Sequence, residues 1–353
     1  MPTLIAVSGV GGKSPAAFMV EVDGFRLMLD LGEGPRPGQL PDIGELPPPD
    51  AICLSHAHID HCGGLILREA WGYPPVYATE RVWRQIPATW VAEEDRRILP
   101  EHGRCEIGPV LMITGRSGHS PGGIWMHVVA GGGLTYTGDW STESSLFPFD
   151  LPPEAALLIT DASYGDRAQS LAEQKAIMLQ ACRDGALIGV PGWGRAPDMA
   201  LYLMEYGVVP RLCSQVQQEI KLLIDSQIPY LRQYLHHLLS HQSARPYRPD
   251  DVIICSDGTA SSGLSAALRS QADRFHFIFS GQIPYSSPAM MMLQAGRARW
   301  LPWNVHPRLS DQLMLANLTH AQTVIPAFIE PHNASQIEEQ LAGRVSWQTE
   351  HVF

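Results

Sequence analysis

Residues 56–61 hold three histidines and one aspartate in six positions, in the order His56-Ala57-His58-Ile59-Asp60-His61. They follow the apolar run Ala51-Ile52-Cys53-Leu54 and precede the pair Gly63-Gly64. Such a run reads as a buried strand, so the fold must bring a strand end loaded with imidazole and carboxylate to an accessible rim. Those donors suit zinc or a similar divalent cation. The spacing is too dense for one tetrahedral ion. In an extended segment His56, His58 and Asp60 share a face while His61 points elsewhere. That suits two neighbouring ions, the first pair of residues serving one and the second pair the other. A histidine-rich solvated turn is the bland alternative, and the position at a strand end disfavours it.

The same placement recurs along the chain. Asp30 closes the apolar run 25–30, Asp139 closes 134–139, and Asp161 follows the apolar run 155–160. His119 stands alone in the glycine-rich turn 115–123. One aspartate after a strand is an ordinary turn residue. Three of them with a histidine are harder to dismiss, because strands of one sheet deliver their ends to one rim. His306 and His332 each stand just past an apolar, strand-like run, whereas His236, His237, His241 and His320 lie in helical or linker stretches and read as structural or surface residues.

The first third reads as short strands at 4–8, 16–22, 25–30 and 51–54, with Asp23-Gly24 as a hairpin turn. Residues 65–71 and 80–94 have helical patterns around a short strand at 76–77. From residue 166 the rhythm changes. Helices at 170–182, 197–206, 215–226 and 230–241 alternate with strands at 186–191, 208–213 and 251–255, a βαβ pattern that implies a parallel sheet. After the last of these strands comes a Ser/Gly loop in which Ser256, Gly258, Ser262 and Gly263 form a candidate phosphate cradle, with a solvated turn as the alternative. Strands at 299–305, 324–329 and 345–348 and helices at 310–318 and 335–341 complete the chain.

With 353 residues, 45% hydrophobic and 17% charged, the chain can bury a large core and has no disordered tail. No apolar run reaches the length of a membrane span, and no signal peptide is expected. The six cysteines form no CxxC pair, so free, mostly buried thiols in a reducing cytoplasm are expected. The net charge of −11 is uneven: residues 162–300 carry a net +2 and the remainder −13. The middle third is therefore the less repulsive place for a polyanion, and its arginines suit phosphate.

Taken together, Asp30, His56-x-His58-x-Asp60-His61, Gly118-His119-Ser120 and Thr137-Gly138-Asp139 resemble the signature of metallo-β-lactamase-fold hydrolases. Asp161-Ala162-Ser163-Tyr164-Gly165-Asp166-Arg167, Gly192-Trp193-Gly194-Arg195, the Ser/Gly loop, and His306 and His332 resemble the β-CASP nuclease branch, RNA-processing type. The resemblance implies an α/β fold: an αββα sandwich from residues 1–165 and 301–353, with an inserted β-CASP domain at 166–300 that contains a parallel sheet and covers a metal cleft. It also implies two zinc ions, with manganese as an alternative. His56, His58 and His119 would hold the first; Asp60, His61 and His332 the second; Asp139 would bridge them. Asp30 would hydrogen-bond the histidine cluster from outside. Asp60, His306 and Asp161 make the catalytic set, His306 supplying a proton to the leaving oxygen and Asp161 orienting it.

The late motifs depart from the branch's usual pattern at His306-Pro307-Arg308 and Glu330-Pro331-His332-Asn333, and the resemblance implies that such changes bear on substrate choice. No appended nucleic-acid-binding domain is expected. The implied function is a cytoplasmic, metal-dependent ribonuclease acting on single-stranded RNA. Alternatives are a DNA nuclease of the same fold, a metallohydrolase of a smaller nucleotide or ester, and a non-catalytic partner subunit. Endo- or exonuclease action, and monomer against homo-oligomer, are left open by the residues.

Overall fold

A computed structural model describes residues 1–44, 46–224 and 229–353, with the backbone alone for 229 and 230. The chain divides into two compact units, Met1–Ala168 with His306–Phe353, and Gln169–Val305. The first unit opens with β1 (Thr3–Ser8), β2 (Ala17–Val22), β3 (Phe25–Leu29), β4 (Ala51–Cys53), β5 (Val76–Thr79) and β6 (Arg96–Leu99). It continues with β7 (Gly103–Ile107), β8 (Val110–Arg116), β9 (Ile124–Val128), β10 (Leu134–Tyr136) and β11 (Leu157–Asp161). The second unit contributes β12 (Ala186–Val190), β13 (Arg211–Leu212), β14 (Val252–Ser256), β15 (Phe277–Phe279) and β16 (Ala298–Trp300). The chain then returns to the first unit with β17 (Thr323–Ala327) and β18 (Glu350–Val352).

The first unit is a four-layer αββα sandwich. One sheet runs β18-β1-β2-β3-β4-β5-β6 and the other β17-β11-β10-β9-β8-β7. Period-two alternation decides what each strand gives to which layer. Leu157 and Ile159 of β11 join Phe18, Leu29, Met126 and Tyr136 between the sheets. Leu158 points the other way, into a cluster with Trp140, Leu315 and Ile337 under the helices Leu309–Leu318 and Ser335–Gln340. On the opposite outer face Met28, Ile52 and Leu54 pack with Leu65, Trp71 and Val82. Each fully buried side chain of this size contributes about 1.5–3 kcal/mol.

The second unit holds a five-stranded, wholly parallel sheet in the order β13-β14-β12-β15-β16. Its first helix, Leu171–Ala181, is started by a capping box in which Ser170 and Glu173 satisfy each other's backbone N–H groups. The expected helix end at 225–226 lies outside the described residues. All six cysteines are free, five of them buried. Among the described residues no helix is long and apolar enough to cross a membrane.

Several elements differ from the sequence reading. The helix expected over 80–94 stops at Trp83, because Pro87 cannot continue it, and resumes only as the 3-10 turn Glu93–Asp95. Residues Gly63–Trp71 form 3-10 turns rather than an α-helix. The strands β6 and β7 carry Arg96, Arg97, Arg104 and Glu106 on half-exposed faces, which hides the apolar pattern that reveals a strand. The last strand falls at Glu350–Val352; of the expected 345–348, Val345 makes one isolated bridge to Val324.

Candidate metal centre

The carboxyl ends of adjacent strands build the site. β3 and β4 run parallel, and Asp30 N–H donates to the Cys53 carbonyl at 2.8 Å just beyond their last pair. Asp30 has φ 57°, an uncommon conformation for a non-glycine residue that turns its carboxylate back under the histidines. Across the core, Thr137 Oγ1 accepts the Asp161 N–H at 3.1 Å, tying the ends of β10 and β11 together. Glycine is required between Thr137 and Asp139. Gly138 has φ 54°, and a Cβ there would lie 2.6 Å from Cβ of Ser55.

Four donors converge on Asp30. Ser55 N–H meets Oδ1 at 2.6 Å, while the hydroxyls of Ser55 and Tyr136 (both 2.6 Å) and Nδ1–H of His61 (2.7 Å) meet Oδ2. This fixes tautomers. His61 spends its Nδ1 proton on Asp30, so Nε2 is the nitrogen that faces Asp139 Oδ1, at 3.2 Å. Ser55 has given its own proton to Asp30 and accepts from Nδ1–H of His56 at 3.0 Å, which frees Nε2 of His56. The arrangement that orients metal-ligating histidines in general is this one, a carboxylate or hydroxyl on the far ring nitrogen.

The freed nitrogens gather in two groups. Nδ1 of His58 lies 3.1 Å from Nε2 of both His56 and His119. Oδ2 of Asp139 lies 3.7 Å and 3.5 Å from those same two Nε2 atoms. A tetrahedral ion with bonds of about 2.0–2.1 Å needs donors about 3.3 Å apart. Four of the six donor pairs among His56, His58, His119 and Asp139 lie 3.1–3.7 Å apart, close to that spacing, and Asp60, His61 and Asp139 form a second group with all ligand atoms within 4.8 Å. The donor set, imidazole and carboxylate, fits divalent cations of the zinc or manganese kind.

The extended reading of residues 56–61 needs correction. His58 is extended (φ −70°, ψ 148°), but Ile59–Cys62 is a helical turn, so Asp60 does not share the face of His56 and His58. That turn carries Asp60 and His61 to the second group instead.

A third group joins Asp139 to Asp161 and His306. His306 Nδ1 is 2.7 Å from Asp161 Oδ2 and 3.8 Å from Asp139 Oδ2. Its ring lies 4.9 Å from that of His119 and 5.0 Å from that of Tyr164. The other oxygen of Asp161 accepts Ser163 N–H at 2.8 Å.

Electrostatics divide the cluster. Burial, followed by the charges of His61 and His58, holds the His56 imidazole well below its usual pKa. Burial alone would lower His61 too, but the Asp139 and Asp30 carboxylates outweigh it and raise the value well above the usual. For Asp139 burial works upward and is overcome by His61 and His306, which keep it ionised. The centre therefore presents a permanent carboxylate among nitrogens of unequal basicity.

Two expectations are not met by the geometry. His332 lies on the 3-10 turn Pro331–Asn333 with its side chain 72% exposed, Nε2 3.3 Å from Glu330, and it joins neither ligand group. In the Ser/Gly loop a carboxylate already stands among the donors. Asp257 accepts the N–H and hydroxyl of Thr259 (2.8 and 2.5 Å) and of Ser262 (2.5 and 3.0 Å), so its negative charge fills the cradle assigned to Ser256, Gly258, Ser262 and Gly263. Missed from sequence were Ser55 and Tyr136, whose hydroxyls complete the Asp30 network. The alternation of β10, placing Tyr136 inward, was the available signal.

Comparison with known proteins agrees with this geometry. The family description "Metallo-beta-lactamase superfamily" matches residues 10–177. Ribonuclease TTHA0252 of Thermus thermophilus is 28% identical over 62% of this chain and 58% of its own. An RNase J-like protein of Methanocaldococcus jannaschii is 26% identical over 53% and 51%. Cleavage and polyadenylation specificity factor 73 of Drosophila melanogaster is 26% identical over 72% and 46%. The chain thus carries a metallo-β-lactamase superfamily domain over residues 10–177. It spans about half the length of these curated metallo-β-lactamase relatives. A crystal structure of a protein of unknown function from Enterococcus faecalis V583 matches the whole of both chains at TM-score 0.60 and 15% identity, a likeness of fold alone.

Proposed function

We propose that this protein is a metal-dependent phosphodiesterase that hydrolyses RNA. The observation that carries the reading is the position of Asp139, which turns one oxygen to each ligand group while the Asp161–His306 pair adjoins it. His56, His58 and His119 would hold one divalent cation and Asp60 with His61 a second, Asp139 serving both. Bound there, such cations lower the pKa of water and neutralise charge on a phosphate oxygen. The chain's own residues do the rest. Asp30, Ser55 and Tyr136 lock the ring orientations, so no reorganisation is needed when substrate arrives.

His306, with Nδ1–H held by Asp161, presents Nε2 as the donor of the proton that the leaving oxygen requires when its bond to phosphorus breaks. Asp161 fixes the tautomer and steadies the charged ring. A leaving group that needs this proton is a poor one, such as the alkoxide of a ribose. The names of the relatives, a ribonuclease and an RNase J-like protein among them, support RNA as the polymer. The net +2 of residues 162–300 supports a polyanion.

The test is a side-by-side assay on end-labelled RNA and DNA oligonucleotides of falling length, with zinc or manganese added. RNA cleavage that weakens as the oligonucleotide shortens is expected. Selective cleavage of DNA, or turnover of mononucleotides alone, would overturn the reading.

A further inference from the structure

We infer that Arg167 is a positioning residue for His306, holding the histidine by its main chain while Asp161 holds it by its ring. The inference rests on the proposed role of His306 as proton donor to the leaving oxygen. One hydrogen bond at Nδ1 sets a tautomer but leaves the ring free to slide with its backbone. The segment 161–167 removes that freedom. The Arg167 guanidinium donates through Nη2 to the His306 carbonyl, and the Arg167 carbonyl accepts Leu309 N–H at 2.8 Å. The Tyr164 ring faces the His306 ring at 5.0 Å, and Gln312 Nε2 donates to the Gly165 carbonyl at 3.3 Å. The stretch that follows strand β11 thus grips residues 306–312 at four points besides Asp161.

A guanidinium with only 11% of its side chain exposed needs a counter-charge. Glu143 Oε2 supplies it, 3.6 Å from Arg167 Nη2 and 3.6 Å from Nε of Arg308, two residues beyond His306. Arg308 in turn is fixed by Asp311 at 3.0 Å, at the start of the helix Leu309–Leu318. Glu143 therefore links both sides of the His306 backbone through two arginines. The planar fork of arginine, with several donors in fixed directions, can serve a carbonyl and a carboxylate together, which the single ammonium of lysine does poorly.

Positioning and mere bracing of the fold are told apart by the leaving group. With bis(p-nitrophenyl) phosphate the departing phenolate needs no proton, so a proton donor in the wrong place costs little. With an RNA oligonucleotide the departing alkoxide needs it. In the metal-loaded protein His306→Ala is expected to lower kcat on RNA by about a hundredfold, and on the aryl ester by no more than about threefold. Arg167→Ala should show the same selectivity with a loss on RNA of about tenfold or more, and metal content should match the parent. Arg167→Lys keeps the charge near Glu143 and withdraws the fork, so it covers the case in which the alanine variant fails to fold. An independent readout is the solvent exchange of the His306 Nδ1 proton, followed by NMR in the metal-free protein, which should quicken in either Arg167 variant.

Equal losses on both substrates in the Arg167 variants, with selective loss in His306→Ala, would overturn the inference and leave the proton donor standing. Equal losses in His306→Ala would overturn both.

Discussion

Oδ2 of Asp30 lies 2.7 Å from Nδ1 of His61, and the same oxygen takes the hydroxyl protons of Ser55 and Tyr136. A residue that never reaches the metal groups thereby decides which nitrogens face them. Asp30→Asn exchanges a full acceptor for an amide that must turn one N–H toward donors. Affinity for zinc should fall by about ten- to a hundredfold, read as faster loss of metal to a chelator. Unchanged retention would show that the histidine tautomers are set elsewhere.

The sharing of Asp139 orders the effects of ligand removal. His119→Ala and His61→Ala should each lose about one of two bound ions, and Asp139→Ala both, by elemental analysis of zinc-loaded protein. If Asp139→Ala kept one ion at full occupancy, the carboxylate would serve one group alone.

His332 stands outside both groups with its ring in solvent. His332→Ala is therefore expected to retain the parent's metal content, with folding stability changed by no more than about 0.5 kcal/mol. Loss of one ion in that variant would mean that the turn Pro331–Asn333 carries the ring inward when metal binds.

Glu219, 1% exposed, offers a pH handle far from the histidines in sequence. Neither carboxylate oxygen reaches hydrogen-bond geometry, although Trp193 N–H, Gly194 N–H and the Ser256 hydroxyl act on it. Burial prevails over these three and raises its pKa from 4.5 to about 7. The folded state then binds the proton more tightly than the unfolded chain. Stability should be highest below the ordinary carboxylate range and decline as pH rises through 7, by at most about 3 kcal/mol. Glu219→Gln should remove that slope and exceed the parent in stability above pH 7, measured by urea unfolding across pH. A slope that survives the substitution belongs to another group.

How legible all this was depended on whether local pattern or distant packing made the feature. The cluster 56–61, the aspartates at strand ends and the βαβ rhythm after 166 are written in consecutive residues, so they were readable. The inward place of Tyr136 was readable from the alternation of β10, but its pairing with Asp30, and that of Ser55, was not, because nothing near them in the sequence says that Asp30 will lie within hydrogen-bond reach. The Ser/Gly loop looked like an anion cradle because serines and glycines are visible in sequence. That Asp257 occupies the loop's own donors appears only when φ 92° at that residue folds its carboxylate inward. Similarly, Pro87 marked an interruption in 80–94, yet the half-exposed strands β6 and β7 that follow lack the apolar pattern a reader needs.

The first unit is assembled from two stretches of chain, 1–168 and 306–353. A ribosome delivers them in order, and domains generally fold as they emerge. By residue 168 every member of the two ligand groups has been made, but β11 still lacks its parallel neighbour β17 and Asp161 lacks His306. The whole second unit must be synthesised before either arrives. A truncated or stalled chain would thus carry donors for metal without the histidine paired to Asp161. The proposed pair of Asp161 and His306 is therefore completed only after the whole second unit has been made.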